Sequence, residues 1–491
     1  MTGAMRPLEE ERMASKGTGI VAVVKRDCPT CELVEPVLKR LQEAGALVTV
    51  YSQDDPAFPE SVADVRDDRT LEQSFQFDIE FVPTLIRMEA GSETGRVFGW
   101  NRPEWEQFTG IQGIGEGLPE NQPGCGSKSV EPGVAEQLQA RYGEVPFASR
   151  KVEFSDWDDT VEQAFDRGWT DGLPIVPPTD DRILRMLQGT PRAPDEIVGE
   201  MPPDKKECTV EKIAINAVMA GARPEYMPVI LAVVEAALTP IFTLHGVLCT
   251  LSFSGPVIVV NGPVTKSIGM NWGGNCLGQG NRANATIGRT LQLLVRNVGG
   301  GRPGEIDRAV FGNPGKYTYC FAEDETDPDW EPLHLSRGAA PGSNAVTLHQ
   351  GHGLTAFSDS AARSADDLAR SLSLQLVNEM HPKRTQISNV IVAISPDHYR
   401  IYKDDGWGRK EIEEALHHYT TRPGKDLIQG AQGIREGIDP KFAEEMVPKF
   451  WRDHGILLMR AGGPGGGQTA IIGGWGGGRN RDQVQPVTHQ F

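Results

Sequence analysis

Apolar positions along the first hundred residues alternate between strand-like runs and helical spacing. Ile20, Val21, Val23 and Val24 lie in one β-branched run, Gly19 to Lys25, which predicts a buried strand. Leu33, Val34, Val37, Leu38 and Leu41 then follow helical spacing up to a stop at Gly45. Further elements are predicted at 48–51 (strand), 70–77 (helix), 81–86 (strand), 96–100 (strand) and 103–108 (helix). Residues 113–133 are rich in Gly, Pro, Asn and Ser and read as a linker or ordered loop, the connector continuing to about 150 through a short helix at 135–142. From 151 to 475 the pattern is longer and mixed. Apolar helices are expected at 209–220 and 224–238, and strands at 257–261, 389–395 and 455–460, each running into a loop rich in Gly, Pro or Asn. Residues 476–491 read as a polar tail.

Composition narrows the function classes. Lys plus Arg number 49 against 67 Asp plus Glu, a formal net charge of -18, which argues against a nucleic-acid partner. No apolar run reaches the ~18 residues of a membrane span, and the charged start lacks the apolar stretch of a signal peptide, so neither a membrane nor export is expected. The expected location is the cytoplasm. Seven scattered cysteines suit a reducing compartment in which thiols do chemistry rather than cross-link.

Only Cys28 and Cys31 form a close pair, Cys28-Pro29-Thr30-Cys31, at the predicted start of a helix. There the unpaired N–H groups and the positive end of the helix dipole favour a thiolate, making Cys28 the attacking sulfur and Cys31 the resolving one. A zinc site wants a second Cys-x-x-Cys or a histidine pair. Residues 17–112 hold neither, so no metal and no cofactor is expected.

The order strand, Cys-x-x-Cys, helix, strand, helix, Val82-Pro83 strand, strand, helix resembles the thioredoxin family across residues 17–112. That resemblance implies a thioredoxin-like redox domain in which Pro83 is cis, lies beside the thiols and shapes a substrate-facing groove. Asp27 precedes Cys28 where thioredoxins usually carry Trp, which points to a dedicated partner rather than general protein-disulfide reduction. In the connector, Cys125 sits between glycines ahead of Lys128, and two readings stand side by side. It is an incidental loop cysteine, or a mobile thiol that visits the pair with its pKa lowered by the lysine.

In the larger region, Met270 to Arg282 is a loop of glycines and amides ahead of a helix expected at 284–298. Backbone N–H groups at such a helix start, with Asn275, Asn281, Asn284, Arg282 and Arg289 nearby, suit a carboxylate, a phosphate or an oxyanion. Cys276 lies inside that loop and is expected to be an activated second thiol, with Cys125 the alternative. Gly463 and Gly465 in the run 461–467 permit close backbone approach to a ligand, and the loops after the three strands are expected to meet at one crevice. Pro464 breaks a dinucleotide-binding Gly pattern, so nucleotide binding is not expected. Asp171-Gly172 reads first as a turn, Cys320 as a core thiol, and Lys316 and Glu323 as candidates for one pocket. His349 and His352 lack a third ligand at useful spacing.

The runs Gly168 to Thr179 and Gly280 to Arg289 resemble an uncharacterised bacterial family associated with UGSC (seleno)proteins, which implies redox context and a thiol or selenol partner protein. The expectation is an α/β protein, a thioredoxin-like domain fused to a larger α/β or α+β domain with a strand–loop–helix crevice. Its function would be that of a thiol-dependent oxidoreductase in which Cys28 and Cys31 reduce an intermediate formed with a small anionic substrate. Sulfur transfer or carbon–heteroatom bond cleavage, and a redox-switched binding protein, are the alternatives.

Overall fold

The computed structural model describes residues 19–155, 157–476 and 484–491 and divides the chain into two units, Met1–Pro146 and Phe147–Phe491. Both mix helices with sheets.

In the first unit, strand β1 (Gly19–Val24) is buried because neighbours flank it on both sides. Helix α1 (Pro29–Glu43) follows, with Thr30, Cys31, Val34, Val37, Leu38 and Leu41 forming its buried stripe. β2 (Leu47–Ser52) and β3 (Val65–Asp67) extend the sheet in parallel on one side of β1. The 81–86 strand is split at proline into β4 (Phe81–Val82) and β5 (Thr84–Glu89), and the Val82–Pro83 peptide is cis. β5 and β6 (Ser92–Phe98) pair antiparallel on the other side, giving the order β3-β2-β1-β5-β6. β7 (Trp100–Asn101) leads into the helix Arg102–Thr109, capped by the Asn101 side chain.

Residues 113–146 belong to this unit as an ordered segment, so the division falls after Pro146. Ile114 and Leu138 are buried, Trp100 Nε1 donates to Pro119 O at 2.6 Å, and two short ladders tie the segment down. β8 (Asn121–Gln122) pairs with β7, and β9 (Cys125–Gly126) pairs with β4.

The second unit opens with the helices Thr160–Asp166 and Asp180–Leu187 and the hairpin of β10 (Ile197–Met201) and β11 (Lys206–Thr209). The helices Val210–Ala220 and Met227–Leu238 bury most of their length in the largest core. That core backs a sheet of β12 (Gly255–Asn261), β13 (Cys320–Ala322), β14 (Ala345–Ser358), β15 (Val390–Ile394), β18 (Ile456–Arg460), β19 (Gln468–Gly474) and β20 (Val487–Gln490). β16 (Arg422–Pro423) and β17 (Met446–Val447) form a separate short ladder. The order is β13-β12-β14-β19-β15-β18, with β20 also on β14. Only β12/β13 and β15/β18 are parallel. The outermost strands of that order approach each other where Asp324 N donates to Arg460 O at 2.8 Å, so the sheet curls into a half-barrel. β20 corrects the expected polar tail, of which 477–483 lie outside the described residues. Helix α2 (Arg282–Asn297) lies in the core backing the sheet, and α3 (Pro396–Asp404) begins directly after β15. Among the described residues no single helix is long and apolar enough to cross a membrane.

Candidate active site: a three-cysteine cluster

Cys28 is the N-cap of α1, with extended backbone (φ −153°, ψ 110°) and Pro29 as the first helical residue. From that position its side chain caps the helix, accepting from Cys31 N–H at 3.4 Å. Carbonyl Val82 O, next to the cis-proline, lies 3.6 Å from the same sulfur. The Cys28 thiol is lowered to about 5, first by the Cys31 thiol donating to its thiolate, then by the Cys125 thiol and by the Cys31 and Thr30 backbone. Burial opposes the shift. Cys31 is 0% exposed, and burial together with the adjoining Cys28 thiolate pushes its thiol well up. The two thiols are thus shifted in opposite directions, Cys28 down and Cys31 up.

Cys125 completes the cluster. Its Sγ lies 2.7 Å from that of Cys28, longer than the ~2.05 Å of a disulfide bond and closer than unbonded sulfurs ordinarily stand. Register brings it there, since Cys125 pairs with Val82 and Gly126 with Phe81. The approach requires glycines. A Cβ on Gly99 (φ +67°) would stand 2.8 Å from Gly124 N, and one on Gly124 would stand 3.0 Å from Val82 O. Cys125 thus stands beside Cys28 at the end of a two-residue ladder with β4. Partial burial and then the Cys28 thiolate push its thiol up, and Lys25 is the cation that opposes them, in the role expected of Lys128. Cys28 is 1% exposed and Cys31 0%, so Cys125, at intermediate exposure, is the most exposed residue of the three.

The second unit brings its three predicted loops together. Gly462 N donates to Trp272 O at 2.8 Å, and Gly465 N to Asp397 Oδ2 at 2.6 Å. They pack on one another backbone to backbone, since a Cβ on Gly463 would come 2.9 Å from Gly274 Cα. The residues expected to hold an anion are engaged within the protein. Arg282 Nε donates to Gly221 O at 2.8 Å, and Arg289 forms a two-point pair with Asp171 at 2.8 Å for both bonds. Asn281 caps α2, Asn284 bonds the main chain of Asn271 and Cys276, and Asn275 (φ +59°) bonds Gln279 O. The amides thus close the loop on itself.

Cys276 is 5% exposed, and burial pushes its thiol up, against the activation expected for it. Cys320 is buried as expected, whereas Lys316 pairs with Asp307 and Glu323 with Asn261 and Trp330, in separate networks. His349 and His352 are buried, lowered to about 3 and about 4 by burial, and among the described residues no group of three or more potential ligands could hold a metal ion. Compared with known proteins, the chain matches no family model and no curated protein.

Proposed function

We propose that the protein is a thiol-dependent oxidoreductase in which Cys125 meets the substrate and the Cys28–Cys31 pair is its dedicated reductant. The observation that carries this reading is the 2.7 Å between Cys125 Sγ and Cys28 Sγ, with Cys28 and Cys31 themselves withdrawn from solvent. Thiol pair at a helix start, strand order and the cis Val82–Pro83 peptide support a thioredoxin-like fold for the first unit. The seven free cysteines favour a cytoplasmic setting.

For an organic disulfide R–S–S–R as oxidant, the Cys125 sulfur attacks one substrate sulfur, and the departing RS⁻ takes the Cys125 proton. The Cys28 thiolate attacks the Cys125 sulfur, forming Cys28–S–S–Cys125 and expelling the second RS⁻, which water protonates. Cys31 attacks Cys28, its proton passes to the departing Cys125 thiolate, and the pair ends as Cys28–S–S–Cys31. An external reduced dithiol resets it. Cys31→Ser blocks the last step. Treated with glutathione disulfide, that variant is expected to accumulate a Cys28–Cys125 disulfide in peptide mass spectrometry. Recovery of Cys28 and Cys125 only as separate glutathione adducts would refute the relay.

A further inference from the structure

Two polar side chains flank Cys125 without taking part in thiol chemistry. Thr30, between the paired cysteines and 1% exposed, donates from Oγ1 to Pro123 O at 2.6 Å, two residues before Cys125. Gln53, 2% exposed just after β2, acts on the other side. Its Nε2 donates to Ser127 Oγ at 2.6 Å, and its Oε1 accepts from Lys128 N at 3.1 Å. The amide is itself fixed, because Nε2 also donates to Ser74 Oγ at 2.8 Å, and Ser74 donates to Asp68 at 2.6 Å. Between the two anchors stand only Gly124, Cys125 and Gly126.

We propose that Thr30 and Gln53 are positioning residues that clamp the 123–128 segment so that Cys125 is the built-in reaction partner of Cys28. The inference rests on the relay proposed above. Glycines on both sides of a reactive cysteine leave it many conformations, and a two-residue ladder restricts few of them. The clamps are hydrogen bonds whose loss leaves the Pro123 carbonyl without its donor or the Lys128 N–H without its acceptor, so each acts on the time Cys125 spends at the sulfur. Thr30 has a double part. Its backbone supports the Cys28 thiolate while its hydroxyl holds that thiolate's partner.

The test uses the full chain in the Cys31→Ser background, equilibrated in mixtures of reduced and oxidised glutathione, quenched by alkylation and counted by peptide mass spectrometry. The constant for forming the Cys28–Cys125 disulfide is expected to fall about 5- to 10-fold in Thr30→Val, which keeps the shape and removes the donor. Thr30→Ser, which keeps the hydroxyl, should stay within about twofold of the parent on the same reasoning. Gln53→Leu should lower the constant as Thr30→Val does. Should Gln53→Leu not fold, the two Thr30 variants decide alone. An unchanged constant in Thr30→Val, or equal losses in Thr30→Val and Thr30→Ser, would overturn the clamp while leaving the relay standing. Absence of the Cys28–Cys125 disulfide in the parent itself would overturn both.

Discussion

Removing the thiol beneath Cys28 tests how its charge is held. In Cys31→Ala the largest stabilising contact on the thiolate disappears, while the helix start and Cys125 remain. A hydrogen bond to a charged group contributes ~1.5–3 kcal/mol, and one pKa unit corresponds to ~1.36 kcal/mol, so such a bond moves a titration by about 1–2 units. A thiol is a weak donor, which places the expected midpoint near the lower figure, at about 6 instead of about 5. The assay is thiolate absorbance in the ultraviolet against pH, with Cys28→Ser subtracted, because it needs no reagent to reach a sulfur that is 1% exposed. The linkage has a definite sign. A folded-state value below the ~8.5 of an unfolded thiol stabilises the fold fully above that value, and the contribution declines as pH falls and is gone below about 5. The Cys31→Ala variant should therefore lose stability against the parent at neutral pH and match it in this respect below about 5, the folded Cys28 value. An unmoved midpoint would refute the assignment of the charge to the thiol contact. A parent midpoint near 8.5 would refute the thiolate itself.

Gly124→Ala should weaken the Cys28–Cys125 disulfide severalfold in the glutathione equilibrium, since the new methyl meets Val82 O at 3.0 Å. Equal constants would show that the ladder yields without consequence. Cys276→Ser should leave trapping of Cys28 with Cys125 unchanged, and Cys276 in the native chain should resist alkylation at neutral pH. Arg289→Met leaves Asp171 without its partner in a pair whose side chains are only 14% and 11% exposed, and should destabilise the second unit by ~2–4 kcal/mol in denaturant unfolding. Recovery of part of that loss by adding Asp171→Asn would confirm the pair, and a stable single variant would refute it. His349 is held neutral with a folded value of about 3, so unfolding takes up a proton between there and 6.5. The second unit should lose stability as pH falls through that window, and His349→Gln should flatten the slope.

The first unit was legible where local chemistry and position coincide. A cysteine ahead of a proline-started helix and a β-branched run before it locate Cys28 and Cys31 with no long-range information, while Pro83 came from the resemblance to the thioredoxin family. Cys125 was in view as one of two candidate partners for the pair, but the ladder that brings it there was not, because it is two residues long and carries no strand periodicity. Thr30 was in view within the motif, but its acceptor stands 93 positions away. Arg282 and Arg289 misled for a related reason. Cations beside a glycine-rich loop read as ligand contacts, whereas their acceptors, Gly221 O and Asp171, are 61 and 118 residues distant. β14 also escaped the pattern, since Gly351 interrupts its alternation. A side chain there would come 2.4 Å from Val257 Cγ2, so packing against the neighbouring strand excludes the residue types that would have betrayed a strand.

In the proposed relay, the ladder between Val82 and Cys125 would also fix the kinetic order of the exchange. Two sulfurs delivered to each other by main-chain pairing react at a rate that does not change on dilution. A free thiol added to the solution competes only through its concentration relative to a neighbour already in contact. Oxidation of Cys125 should thus reach Cys28 in a first-order step whose half-time is the same at nanomolar and at micromolar protein. Other cysteine proteins in the same compartment would contribute little to that step.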